Sequence, residues 1–273
     1  MALEDAPVVF FQGAFASAQQ VHRLTTHPDP LFLPHEIRSI AADLPEVVYS
    51  SPLFLRIAFT WILNLCLLAM GRPVIVQGAP YYIDFRHVNL GQHSDIEQCR
   101  ARGVGDIAFG ISRGAATTFA RWALAEEEEL ASGTVPKLLL LEGCPASIPH
   151  VLEFRNGARL ASLAEWLLEQ MTAYKAADAR LLSPLALAHR FPHNIPVAFV
   201  TAKHDTSVSP NDTYALVDAL QRAGHPSVHV LELQDAHHNN YYTGSERDRL
   251  AYKAFVMALR EDTNPRASSS FFH

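Results

Sequence analysis

The chain has 273 residues, enough for one sizeable domain with a buried core, and its 49% hydrophobic and 18% charged residues are those of an ordinary globular protein. A formal net charge of -6, without a basic stripe interleaved with aromatics, excludes a phosphate-neutralising surface and argues against a nucleic-acid partner. Cys66, Cys99 and Cys144 include no C-x-x-C pair, and Met1 to Pro7 lacks the basic start of a signal peptide; both point to an intracellular, cytoplasmic protein without disulfides.

The first predicted element is the apolar run Val8 to Gln12, read as a buried parallel strand because continuous hydrophobicity marks a strand covered on both faces. Between Phe15 and Ser51 the rhythm is broken by Pro28, Pro30, Pro34 and Pro45. Pro52 to Met70 reads as a helix. Its segment from Leu53 approaches the roughly 20 apolar residues that cross a bilayer. Arg56, Thr60 and Asn64, spaced by four, place polar groups on one face and favour a buried helix packed on a sheet over membrane attachment. Strand Pro73 to Gln77, helix Ser94 to Arg102, strand Asp106 to Ile111 and helix Arg113 to Leu130 follow, the last closed by the acidic run Glu126 to Glu129, read as a solvated helix end.

After strand Lys137 to Leu141, the stretch from Ala146 to Phe191 is mostly helical and reads as a small lid over about 146–190. Its Leu160, Leu163, Trp166, Leu167 and Leu168 suit either simple core or a greasy acyl chain. Strand Ile195 to Thr201, helix Pro210 to Ala223, strand Val228 to Leu233 and helix Glu246 to Arg260 complete a single domain over 1–262, and the polar 263–273 reads as a disordered tail. Such alternation predicts an α/β fold: a mostly parallel central sheet, helices on both faces, and a site at the carboxyl ends of the strands.

The strand Asp106-Ile107-Ala108-Phe109 runs into Gly110-Ile111-Ser112-Arg113-Gly114 and then into the small residues Ala115, Ala116 and Thr117 of a helix. A serine hydroxyl is a weak nucleophile until a sharp turn presents it to a base and to backbone N–H donors, and the residues two before and two after it then have no room for a side chain. Gly110 and Gly114 meet that demand. In these residues the sequence resembles the α/β-hydrolase superfamily of serine hydrolases, which implies Ser112 as nucleophile and the N–H of Arg113 as half of the oxyanion hole.

The same resemblance implies an acid and a histidine on loops after later strands. Asp205, in Ala202-Lys203-His204-Asp205, matches the acid; Glu142, after the strand before the lid, is its rival. The loop Gln234-Asp235-Ala236-His237-His238 offers two bases. His237 is preferred because the family often has a small residue before its histidine, and His238 is the alternative. For the second oxyanion donor, only about 28 residues separate Gly78 from the elbow strand, too few for the intervening elements, so Gln12-Gly13-Ala14-Phe15 is assigned, with Ala14 as donor. Gln77-Gly78-Ala79 then follows the fourth strand of the fold.

The expected activity is cleavage of an ester or related acyl bond in a small-molecule substrate through an acyl-enzyme, with no cofactor and no metal. The alternatives are an acyltransferase, a peptidase, a lyase or a non-catalytic binding protein on the same fold.

Overall fold

The computed structural model describes residues 8–11, 24–40, 62–63, 65–67, 69–72, 96–97, 99–100, 103–171, 175–238 and 240–262. The strands are β1 (Val8–Phe11), β2 (Ile37–Ile40), β3 (Ile107–Ile111), β4 (Leu138–Glu142), β5 (Val197–Ala202) and β6 (Val228–Leu233). They form one six-stranded sheet in the order β2-β1-β3-β4-β5-β6, and every pairing is parallel. From Arg113 onward the α-helices are α1 (Arg113–Ala123), α2 (Glu127–Ala131), α3 (Ile148–Asn156), α4 (Ala158–Met171), α5 (Ala176–Leu181), α6 (Pro184–Leu187), α7 (Pro210–Arg222) and α8 (Glu246–Asp262). The predicted mostly parallel α/β architecture is therefore the one observed.

Continuous apolar runs became continuous burial: each residue of β1, β3, β4 and β5 is buried. Alternate side chains then serve opposite faces. On one face Phe10, Ile107, Phe109, Leu138, Leu140 and Val200 pack with Tyr252 and Val256 of α8. On the other, Ala108, Leu139, Leu141 and Phe199 pack with Phe119 of α1 and Leu216 of α7. Phe109 lies 5.1 Å from Phe10 and 5.7 Å from Phe32 between ring centroids, and Phe119 stacks on Phe191 at 4.6 Å.

The Pro-punctuated stretch carries a strand that its composition hides. Ile37-Arg38-Ser39-Ile40 is too short and too polar to show an apolar run, yet it pairs with β1 from Val8↔Ile37 to Phe11↔Ile40. The position beside β1 is taken by β2; Pro73 to Gln77, expected as the fourth strand, lie outside the described residues. Residues 24–40 are clamped to α8: Asp29 pairs with Arg249 and Lys253, its carbonyl accepts from Tyr242 Oη at 2.7 Å, and Arg260 reaches Glu36 at 2.9 Å.

Two helices depart from expectation. The helix after Ser112 stops at Ala123, and α2 starts at Glu127, turning back so that Glu129 pairs with the buried Arg121; the acidic run is thus partly an internal partner. In the expected buried helix ending at Met70, Ile62, Leu65, Cys66 and Ala69 share one face, and that face is exposed. The rest of its apolar positions, including Leu53 to Trp61, lie outside the described residues. No helix among the described residues is long and apolar enough to cross a membrane.

Phe109 is fully buried where β3 meets both β1 and Phe32. Phe109→Ala is expected to cost about 3–5 kcal/mol through lost transfer energy and the cavity left behind, read as a lower denaturation midpoint at unchanged slope.

Candidate active site

At the carboxyl end of β3 the chain reverses at Ser112, the single non-glycine residue with positive φ among the described residues, at φ 54° and ψ -119°. Such a conformation costs about 1–3 kcal/mol and persists only where the surroundings impose it. Three backbone bonds do so: Ser112 N–H donates to Glu142 C=O at 2.7 Å, and Ser112 C=O accepts from Ala115 and Ala116 at 3.0 and 3.1 Å. The reversal presses β3 against α1 so closely that a Cβ on Gly110 would lie 2.6 Å from both Ala115 Cα and Gly114 O. This is the crowding the sequence motif implied for Gly110. Arg113 opens α1, so the positive end of that helix adjoins the turn.

Asp205 follows β5 and is 3% exposed. Its Oδ1 accepts the N–H groups of Ser207 at 2.7 Å and Val208 at 2.9 Å; its Oδ2 accepts His238 Nδ1–H at 2.7 Å and the Tyr241 hydroxyl at 2.5 Å. Burial alone would push this carboxyl up, but the hydrogen bond and charge of His238, with the donors from Tyr241 and Val208, outweigh it and hold Asp205 below the ordinary carboxylate range. An ionised carboxylate can only accept, so the neutral form of this imidazole carries its proton on Nδ1 and presents Nε2 as the acceptor.

Of the two histidines, His238 and not the preferred His237 is the one that meets Asp205. Its ring is exposed, and Nδ1 donates to His204 C=O at 2.9 Å, away from Asp205. The reason lies in the loop. The Asp248 carboxylate of α8 gathers the N–H groups of Gln234, Asp235 and Ala236 at 2.9, 2.7 and 2.7 Å, drawing Ala236 into the core; a turn closed by Asn240 Oδ1 on His237 N–H at 2.7 Å then sends His237 outward and His238 inward. The sequence signal is a small residue directly before the histidine, whereas Ala236 precedes the histidine that meets Asp205 by two. Neither Asp248 nor Tyr241 carried any motif that would have singled it out.

Glu142 is not the partner of either histidine. Its side chain turns into the core, where Tyr252 Oη donates to it, and burial, only partly offset by that bond, pushes the carboxyl up to about 8. Its backbone nevertheless joins the two halves of the site. Glu142 C=O holds Ser112 N–H, and the next residue, Gly143 at φ +50°, has its Cβ direction 3.0 Å from Tyr241 Oη, 3.4 Å from His238 Cε1 and 3.5 Å from Asp205 Oδ2. Elbow, histidine and acid thus converge on one peptide junction at the end of β4.

Of the second oxyanion donor, Ala14 and its loop Gln12 to Phe15 lie outside the described residues. β1, which precedes that loop, runs beside the elbow strand with Phe11 opposite Gly110. The region expected as a lid is helical from α3 to α6, with Ser147 and Ser183 capping two of its helices through the N–H groups of His150 and Ala186. Its Leu160, Leu163 and Trp166 are exposed rather than core. Among the described residues, no group of three or more His, Cys, Asp or Glu is placed to hold a metal ion.

The model of the prolyl oligopeptidase family matches residues 149–258. No curated protein sequence matches the chain. Among solved structures, it is similar to the acylaminoacyl peptidase of Pyrococcus horikoshii (TM-score 0.52, 16% identity, 96% of this chain and 37% of that chain). It is equally similar to an acylaminoacyl peptidase in complex with Z-Gly-Gly-Phe-chloromethyl ketone (TM-score 0.51, 17% identity, 96% of this chain and 37% of that chain). The chain therefore spans little more than a third of these structures.

Because Glu142 is held neutral in the fold but ionises in the unfolded chain above its ordinary 4.5, its stabilising effect is complete below pH 4.5 and is lost as pH rises toward about 8. Glu142→Gln keeps the acceptor for Tyr252 and should flatten that decline, gaining roughly 1–4 kcal/mol over wild type near pH 8 and nothing near pH 4, measured by denaturation across pH.

Proposed function

This chain has the fold of the α/β-hydrolase superfamily, and we propose that it is a serine hydrolase acting through Ser112, His238 and Asp205. The observation that carries this reading is the Asp205–His238 bond of 2.7 Å, set at the same edge of the sheet as a serine in a strained strand-to-helix turn. A buried carboxylate that fixes an imidazole tautomer in this way presents Nε2 as the base that a serine nucleophile requires.

In the proposed reaction Ser112 Oγ attacks the acyl carbonyl while His238 Nε2 accepts its proton, and Asp205 stabilises the resulting imidazolium through Nδ1–H. The oxyanion is met by the N–H of Arg113 and that of Ala14. His238 returns the proton to the leaving alcohol or amine, giving an acyl-enzyme on Ser112; water, deprotonated by the same histidine, then releases the acid. None of these steps calls on a cofactor. The helices α3 to α6 serve as the lid, and their exposed Leu160, Leu163 and Trp166 offer an apolar lining to the acyl side. Ester hydrolysis is the first reading of the substrate. Peptide-bond hydrolysis is the second, favoured by the family match over 149–258 and by the peptidase names of the similar structures.

A fluorophosphonate probe is expected to label wild type and His237→Ala but not Ser112→Ala, and to label His238→Ala at least about 100-fold more slowly. Equal labelling of wild type and Ser112→Ala would overturn the assignment. Turnover of p-nitrophenyl esters of rising chain length, set beside that of N-acyl aminoacyl anilides, separates the esterase reading from the peptidase one.

A further inference from the structure

Asp205 Oδ2 receives two donors at once, the imidazole at 2.7 Å and the Tyr241 hydroxyl at 2.5 Å, while Oδ1 is occupied by two backbone N–H groups. We propose that Tyr241 is a positioning residue of the His238–Asp205 couple, its hydroxyl fixing the plane of the carboxylate and limiting how strongly that carboxylate draws the imidazole proton. The proposal rests on the reading of Ser112, His238 and Asp205 as the reacting groups.

Geometry makes the phenol a dedicated donor. Tyr241 is 2% exposed, so bulk solvent does not reach its hydroxyl, and its ring stands edge-on to that of His238, with centroids 6.5 Å apart and planes at 89°. Room for the hydroxyl exists because position 143 is glycine: a Cβ there would sit 3.0 Å from it. Burial and the charge of Asp205 push the phenol far up, so it remains protonated wherever the enzyme works. The titratable groups facing it are Asp205 after β5, His238 on its own loop, Tyr252 of α8 and Glu142 at the end of β4, the last kept neutral and hydrogen-bonded by Tyr252.

The electrostatic consequence has a definite sign. A second hydrogen bond on Oδ2 spreads the carboxylate charge, so less of it remains to stabilise an imidazolium. Without that bond, Asp205 grips the His238 proton harder, and the base becomes available only at higher pH. The carboxylate also gains freedom to rotate, and orientation of the imidazole suffers.

The test is the pH dependence of Ser112 labelling by a fluorophosphonate. Tyr241→Phe should slow labelling about tenfold at its plateau and move the acid limb up by about half a pH unit, with KM for an ester substrate nearly unchanged. Site-specific 3-fluorotyrosine at position 241, a stronger donor of nearly the same shape, should move that limb down. A folded Tyr241→Phe protein with wild-type rate and limb overturns the proposal; should that variant not fold, an unmoved limb in the fluorotyrosine protein does so. Wild type that takes no label overturns the hydrolase reading as well, whereas normal, His238-dependent labelling with an unmoved limb removes Tyr241 alone.

Discussion

A carboxylate can stay ionised inside a protein only where donors replace the water it has lost, and Asp205 meets that condition with two backbone N–H groups, one imidazole and one phenol. Each donor comes from a place the parallel sheet brings to one edge. The backbone pair belongs to the loop after β5, and both side chains belong to the loop after β6. Parallel strands direct their carboxyl ends to one side, so loops far apart in the chain meet there without any long excursion.

The elbow depends on the same arrangement. Ser112 could relax out of its positive φ were it not held by Glu142 C=O from the neighbouring strand and by the start of α1 below. Gly110 lets the helix approach, and Gly143 lets the histidine and tyrosine approach. Both glycines work by absence: each marks a spot where another atom already occupies the place of a Cβ. Beneath them lies a hidden polar layer, Glu142 with Tyr252, whose carboxyl is tolerated because burial keeps it neutral and a hydroxyl satisfies it.

The last helix ties this edge together. At its start Asp248 collects three consecutive N–H groups and so fixes the course of the loop that carries both histidines. Along its length Arg249, Lys253 and Arg260 hold residues 24–40, which supply Phe32 to the core and β2 to the sheet. A helix whose sequence carries no site motif thus holds the contacts that set the orientation of a candidate base.

What the sequence determined by itself was whatever local chemistry imposes. Short continuous apolar runs bounded by turn residues pointed to β1, β3, β4 and β5, since segments that short and that apolar fit strands covered on both faces; the glycines around Ser112 dictated a sharp turn; an aspartate and a pair of histidines after successive strands restricted the remaining partners. The tertiary structure decided the rest. Ile37–Ile40 becomes a strand because β1 offers it an edge, and nothing within its own residues requires this. His238 rather than His237 meets Asp205 because Asp248, distant in the loop's own sequence, rotates the backbone so that alternate side chains exchange inside for outside. Tyr241 joins the carboxylate through a notch left by Gly143, from another strand altogether. Adjacent residues in a loop differ in direction, not in chemistry, and direction is fixed by hydrogen bonds to parts of the chain that a local reading does not contain.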